Sequence, residues 1–290
     1  MTVLYLGPVP PQRGGISQHG ARIVEALRDD GHEVTVESWR DQYPRLLYRR
    51  PEVDPDAAPF PGTRRRLRWW NPLGWLAVRR VARSHDTVIL PWTTPFPTPV
   101  YLTVTWRSPA AVAVMVHNAL PHERFPFAPA FARLVLRRAD RLVCHASSVA
   151  EDCHRLAPDV PVSVVPHPPD LATSPTPLPG GPIRLLALGY LRDYKGTDLA
   201  LRAVAACRDA GAPVRLTVAG EPWGDAEPWV ALVDELDLDD LVDLRLRYQS
   251  DDEVHELLRT HHALVAPYRS ATQSGVVAQA LGSGRPAVVT

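Results

Sequence analysis

Lysine is almost absent from this chain of 290 residues: 32 are Lys or Arg, and only Lys195 is lysine. Where arginine serves almost everywhere, the one retained compact ammonium marks either an ordinary surface charge or a place where a planar fork does not fit. Cysteine is scarce too. Cys144, Cys153 and Cys207 are odd in number and match no metal-ligand spacing, which points to free thiols in a reducing cytosol. No run approaches the ~20 apolar residues a membrane span needs. The opening MTVLYLGPVPP lacks the basic lead of a signal peptide and reads directly as a strand, so the expected location is the cytoplasm. No G-x-G-x-x-G follows the first strand, which argues against a dinucleotide-dependent oxidoreductase. No acidic pair of the D-x-D kind stands at a strand end, so no metal ion is expected.

What is present is a length and a 45% apolar content that suit two modest domains, each with its own core. The zero net charge conceals an asymmetry. Residues 1–150 carry 20 Arg against 12 Asp plus Glu, about +8, and the remainder is about −8, so the two halves are expected to have different partners.

The stretch 183–220 reads as a βαβ unit. Leu185–Leu188 is a strand, Gly189 opens a charged loop, and Thr197 is a candidate cap for a helix carrying Leu199, Ala200, Ala203, Val204 and Cys207 on one face. Val214–Ala219 is then the next parallel strand. Arg192 and Lys195 lie in the first loop, beside the positive end of the helix. Two cations there suit an anion, most simply a diphosphate.

The N-terminal half is similar in plan. Strand Val3–Leu6, a loop Gly7–Gly15, a helix from about Ser17 to Asp30 and strand Val34–Glu37 form a Rossmann-like opening. Gly14 and Gly15 either make a flexible turn or let backbone amides approach a ligand. Strand Val112–Val116 delivers His117, Asn118, His122 and Glu123. Ligands of open α/β sheets sit at such strand ends, although a lone histidine is commonly structural. Further expectations are a helix over 129–138, a strand over 141–145, and a helix capped by Ser147–Ser148. From Arg40 to Arg83 there are 11 Arg against 4 acidic residues, with Trp69, Trp70 and Trp75 among them. That stretch is a solvated helix face with an irregular loop, or a contact for anionic membrane. Nucleic acid is not expected, because no nucleic-acid motif accompanies the charge.

Residues 169–182, rich in proline, read as a semi-rigid linker between a domain 1–168 and a domain 183–290. Beyond it come a loop with Glu221, an acidic helix over 225–240, a strand Leu244–Tyr248 and a strand Ala263–Ala266. Ser274, Gly275 and Val276 then open a helix whose first amides favour a phosphate.

Several separated motifs resemble family 4 glycosyltransferases. The loop Gly189–Asp198, G-x-x-R-x-Y-K-G-x-D, is similar to the family's donor loop, where an arginine and a lysine hold the nucleotide-sugar diphosphate. Arg13-Gly14-Gly15-Ile16, His117-Asn118 with Pro121-His122-Glu123, SWRDQYP and LPWTTPF resemble one branch of it. The terminal segment resembles the signature of two glutamates followed by Ala and G-x-P-V-V. Aligned on Ala280, Gly284 and Pro286, the second glutamate falls on Gln279 and the first on Ala271, so both acids are missing. Gln279 is then a neutral ribose partner, and amides near Thr272 and Gln273 take over the sugar contact.

The resemblance implies a GT-B architecture, two Rossmann-like α/β domains facing a cleft, with the second domain incomplete. It implies retaining transfer of a sugar from a nucleotide-sugar donor to a hydroxyl of a glycan, lipid-linked or small-molecule acceptor, without a metal cofactor. Gly14, Gly15, Arg192, Lys195, Glu221, Thr272, Gln273, Ser274, Gly275, Val276 and Gln279 would bind the donor. His117 would orient sugar or acceptor, with Asn118, His122 and Glu123 on the acceptor side. A nucleotide-sugar binder without turnover and a GT-B epimerase are the alternatives.

Overall fold

The computed structural model describes residues 1–44, 46, 51–121, 125–167, 176–271 and 273–290. His122, Glu123 and Thr272, and residues 169–175 of the expected linker, lie outside the described residues. The chain divides into two compact units, Met1–Pro166 and His167–Thr290. Each is a parallel sheet covered by helices on both faces.

The first unit runs β1 (Thr2–Leu6), α1 (Gly15–Asp29), β2 (Glu33–Asp41), β3 (Thr63–Arg68), α2 (Pro72–Ala82), β4 (Thr87–Trp92), α3 (Thr98–Thr105), β5 (Ala111–Val116), α4 (Ala128–Leu136), β6 (Arg141–Cys144), α5 (Ser147–Leu156) and β7 (Val162–Val164). The sheet order is β3-β2-β1-β4-β5-β6-β7, with parallel pairing throughout. Successive side chains of a strand point to opposite faces, and β1 shows the result. Leu4 and Leu6 enter a core with Val88, Leu90, Val114 and Leu136, while Tyr5 enters a second core with Val24 and Val36. Each such buried aliphatic side chain contributes roughly 1.5–3 kcal/mol. α1 lies so close to β1 that a Cβ on Gly20 would stand 2.2 Å from the Tyr5 hydroxyl oxygen.

The second unit runs β8 (Arg184–Leu188), a 3-10 turn (Asp193–Lys195), α6 (Thr197–Asp209), β9 (Arg215–Ala219), α7 (Glu227–Glu235), β10 (Val242–Arg245), α8 (Asp251–Thr260), β11 (Ala263–Ala266), α9 (Gly275–Gly282) and β12 (Ala287–Val289). Its order is β10-β9-β8-β11-β12, again parallel. Ala187 packs on one face with Leu201 and Val218; Leu186 and Leu188 pack on the other with Leu257 and Leu264. The doubly wound α/β class expected from the sequence is what both units show.

Several local expectations are corrected. The basic run 63–68 is a strand at the edge of the sheet, not helix face or loop. Its Leu67 is buried, Arg65 donates to the Trp39 carbonyl at 3.0 Å, and Arg66 pairs with the fully buried Glu37. Arginines on an edge strand also protect it from pairing with other chains. Thr197, Ser147 and Ser148 cap nothing: α6 and α5 begin after Gly196 and Ala146, neither with a side-chain cap bond. β10 ends at Arg245, and α7 covers only Glu227–Glu235.

Arg285 is 1% exposed and lies at the end of α8. It donates to the Leu258 carbonyl at 2.7 Å, the Arg259 carbonyl at 3.0 Å and the Thr176 carbonyl at 2.7 Å. A cation there satisfies carbonyls left unpaired at a helix C-terminus.

Both sheets reverse their winding beside the first strand, between β1 and β4 and between β8 and β11. Crevices at such reversals are where open α/β sheets bind ligands.

Candidate functional site

In the second unit, three strand ends and one helix start converge. Gly189 follows β8 with φ +101°, and a Cβ on Gly220 would stand 2.0 Å from its carbonyl oxygen, so the backbones after β8 and β9 touch. The ladder then continues past the strands: Leu191 N donates to the Glu221 carbonyl at 3.0 Å and Trp223 N to the Leu191 carbonyl at 2.9 Å. This zipped pair of loops brings the Arg192 guanidinium carbon to 3.6 Å from the Trp223 ring centroid.

Lys195 ends the 3-10 turn and comes back over the strand end. A Cβ on Gly189 would lie 2.8 Å from its Nζ and 3.5 Å from a methyl of Val276, so the ammonium and the first turn of α9 share one spot. Burial, and secondarily Arg192, lowers the Lys195 pKa to about 8. The Tyr268 ring lies 5.6 Å from Nζ, and its hydroxyl is 3.3 Å from that of Ser274.

The turn is fixed from β11. Gly196, at φ +65°, comes so close that a Cβ would meet the Pro267 carbonyl oxygen at 2.0 Å. Arg269 N donates to the Tyr194 carbonyl at 2.7 Å, and its guanidinium donates to the Asp193 carbonyl at 2.6 Å and to Asp198 at 2.9 Å. That bond is the main reason the Asp198 carboxyl is held below the usual range. Asp198, three residues after Lys195, is thereby engaged by Arg269.

At α9 the Ser274 hydroxyl accepts from Val277 N at 3.3 Å. Ser274 therefore caps its own helix, and the Gly275 and Val276 amides open its first turn. The Val276 side chain packs on the core, so that residue offers a ligand only its backbone. Gln279 is half-buried in the second turn of α9 and Gln273 is half-buried just before it. Glu221 is tied through its carbonyl to Leu191. Trp223, Tyr268 and Arg269 belong to this cluster and were not anticipated; the aspartate of the K-G-x-D loop was the only trace of Arg269 in the sequence.

The first unit carries a different site. Gly14 precedes α1 at φ +101°, a conformation that requires glycine, whereas nothing lies within 4 Å of a Cβ placed on Gly15. Gly15 is already helical, so the amides opening α1 begin two residues earlier than expected. His117, directly after β5, is 2% exposed and receives its backbone order from a 3.0 Å bond to the Trp92 carbonyl. It stands edge-on to His19, ring centroids 5.0 Å apart, and 5.4 Å from His145. Asn118 is half-buried beside it. His19 and His145, far away in sequence, were not anticipated.

Among the described residues no helix is long and apolar enough to cross a membrane. The three cysteines form no disulfide, and burial pushes Cys153 up to about 12.

Comparison with known proteins places this geometry. Residues 13–173 match the profile described as Glycosyltransferase Family 4, and residues 182–290 that described as Glycosyl transferases group 1. Among curated proteins, no sequence relative is found at a significant level. Solved structures of similar fold include HepE of Anabaena in complex with UDP-glucose, with TM-score 0.74 and 15% identity over 100% of this chain and 80% of that one. The lipopolysaccharide outer core galactosyltransferase WaaB matches with TM-score 0.66 and 16% identity, again over 100% of this chain and 80% of the other. An alpha-glucosyltransferase in complex with UDP matches with TM-score 0.67 and 11% identity over 100% of this chain and 80% of the other. Two Rossmann-like parallel α/β units of the GT-B fold, each matched by its own profile, make the chain a member of glycosyltransferase family 4, enzymes that use nucleotide-sugar donors.

Proposed function

We propose that this chain transfers a hexose from a uridine diphosphate sugar to a hydroxyl of a glycan or lipid-linked acceptor, with retention of configuration. The observation that carries the reading is Lys195, the lone lysine, held at low pKa beside Arg192 and the first turn of α9 at the sheet's winding reversal. A diphosphate arriving there meets two cations and a helix N-terminus, which together offset its charge in the role a divalent metal plays in other transferases. Uridine and a hexose are chosen because solved structures of this fold hold UDP-glucose and UDP. His117 would hydrogen-bond the sugar or acceptor and orient it rather than attack.

A charge-assisted contact is worth roughly 1.5–3 kcal/mol. Lys195→Ala should therefore weaken UDP binding at least tenfold in calorimetry, and unchanged affinity would show the diphosphate lies elsewhere. Incubation with UDP-sugars and analysis of products then separates the activities. Extension of an acceptor supports transfer, an isomerised nucleotide sugar supports epimerisation, and binding without reaction supports a non-catalytic receptor. The last alternative has a specific basis, since Ala271 and Gln279 stand where the family signature has acids.

A lipid-linked acceptor suits the surface of the first unit. Trp70 is 51% and Leu73 76% exposed, and Arg68 lies 5.2 Å from the Trp70 ring. Arginines beside exposed tryptophan and leucine fit an anionic headgroup layer, and in this reading the protein works at the inner face of a membrane.

A further inference from the structure

Taken together, the three buried imidazoles of the first unit offer a chemistry beyond the orienting role given to His117. His117 follows β5 and His145 follows β6, and the register pairs Val116 with Cys144, so the two histidines are set side by side by the sheet itself. His19 reaches them from α1, its ring centroid 4.7 Å from that of His145. One ring nitrogen from each lies within 4.8 Å of the others, and all three residues are under 10% exposed, at 3%, 2% and 9%. His145 Nδ1 is 2.8 Å from the Val165 carbonyl oxygen. A carbonyl only accepts, so Nδ1 carries the proton and Nε2 keeps its lone pair. This is the backbone bond by which metal-binding histidines are oriented and held in one tautomer.

We propose that His19, His117 and His145 form a binding site for a divalent transition metal of the zinc type. Three neutral imidazoles suit zinc, cobalt, nickel or copper and not magnesium or calcium, which take oxygen ligands. Zinc–nitrogen bonds of ~2.0–2.1 Å place tetrahedral ligand nitrogens about 3.4 Å apart, so the cluster draws in modestly around the ion. Three protein ligands leave a four-coordinate ion one position for water or a substrate oxygen. The supports are two adjacent strand ends and a helix, rigid elements that keep such a site in shape. All three proposed ligands belong to the first unit, whereas Arg192 and Lys195 belong to the second. The assignment does not depend on the donor reading: UDP binding at Lys195 can fail while metal binding holds, and the reverse.

The test uses the full chain without a histidine tag, stripped with a chelator. Co²⁺ should bind in one equivalent with the visible bands of a four-coordinate ion, Zn²⁺ should displace it, and Mg²⁺ should not. Outer-shell partners of a metal are worth ~10–100-fold in affinity, so removing a ligand, as in His19→Gln or His145→Gln, should cost at least a hundredfold. His154→Ala, on the exposed face of α5, should cost nothing. Circular dichroism verifies that the glutamine variants are folded. Absence of cobalt bands in the unaltered chain overturns the proposal whether or not any variant folds. So does zinc affinity unchanged in both glutamine variants, which would place the ion on surface histidines.

Discussion

The guanidinium carbon of Arg192 stands 3.6 Å from the ring centroid of Trp223, at the point where the loops after β8 and β9 are zipped together. The tryptophan gives a long, flexible cation one resting place before any ligand arrives, and less ordering remains to be done on binding.

Trp223→Leu should therefore weaken UDP binding although position 223 carries no charge. A cation–π contact contributes ~0.5–2 kcal/mol, equivalent to about two- to thirtyfold in affinity. In calorimetry the penalty of Arg192→Ala should be smaller in the Trp223→Leu background than in the unaltered chain, because the two residues act as a unit. Additive penalties would mean that Trp223 does not hold the arginine in place.

In the proposed donor site, Lys195 should set the pH dependence of UDP binding. Its pKa of about 8 lies below the ordinary lysine value because burial and Arg192 disfavour the charged form. A diphosphate favours that form. UDP affinity should be nearly full at pH 7, about half that at pH 8 and about tenfold lower at pH 9, where only about a tenth of the lysine stays protonated. Binding near pH 8 should take up a proton, visible as a buffer-dependent heat. Lys195→Ala should flatten both signals.

His117 belongs to the first unit and the proposed diphosphate partners, Arg192 and Lys195, to the second. His117→Ala should leave UDP affinity within about twofold while lowering turnover ~10²-fold, the usual loss for a positioned polar group. Near-normal turnover would remove its orienting role in transfer. Equal loss of UDP affinity would place it at the nucleotide.

Exposed Trp70 and Leu73 should govern attachment to lipid. Trp70→Ser with Leu73→Ser should reduce sedimentation with anionic vesicles several-fold, and added salt should reduce it further, since each arginine near such a surface contributes about 1 kcal/mol. Equal sedimentation with neutral vesicles would remove the electrostatic part of the reading.

The strands of both sheets were legible because buried parallel strands leave continuous aliphatic runs, as in Leu185–Leu188 and Val112–Val116. The loop between β8 and α6 was legible as a loop because its glycines and charged residues are contiguous. β3 was not, because its period-two pattern hides in arginines whose partners, Glu37 and the Trp39 carbonyl, come from the neighbouring strand. Caps were misplaced at Ser147 and Thr197 because composition alone cannot tell a capping hydroxyl from one already inside the helix. The histidine cluster was invisible for a topological reason. His19, His117 and His145 meet only after β5 and β6 pair and α1 folds back onto the sheet.

A chain with one lysine has one ε-amine, and here that amine has lost much of its basicity. Near pH 8 about half of it is the free base, the nucleophilic form, where an ordinary lysine would be almost wholly protonated. Apart from an amino terminus, an amine-selective acylating reagent then has a single target, and that target lies in the crevice assigned to the donor. Intact-mass spectrometry of the labelled chain becomes a direct gauge of occupancy, since a bound diphosphate both covers the amine and restores its proton.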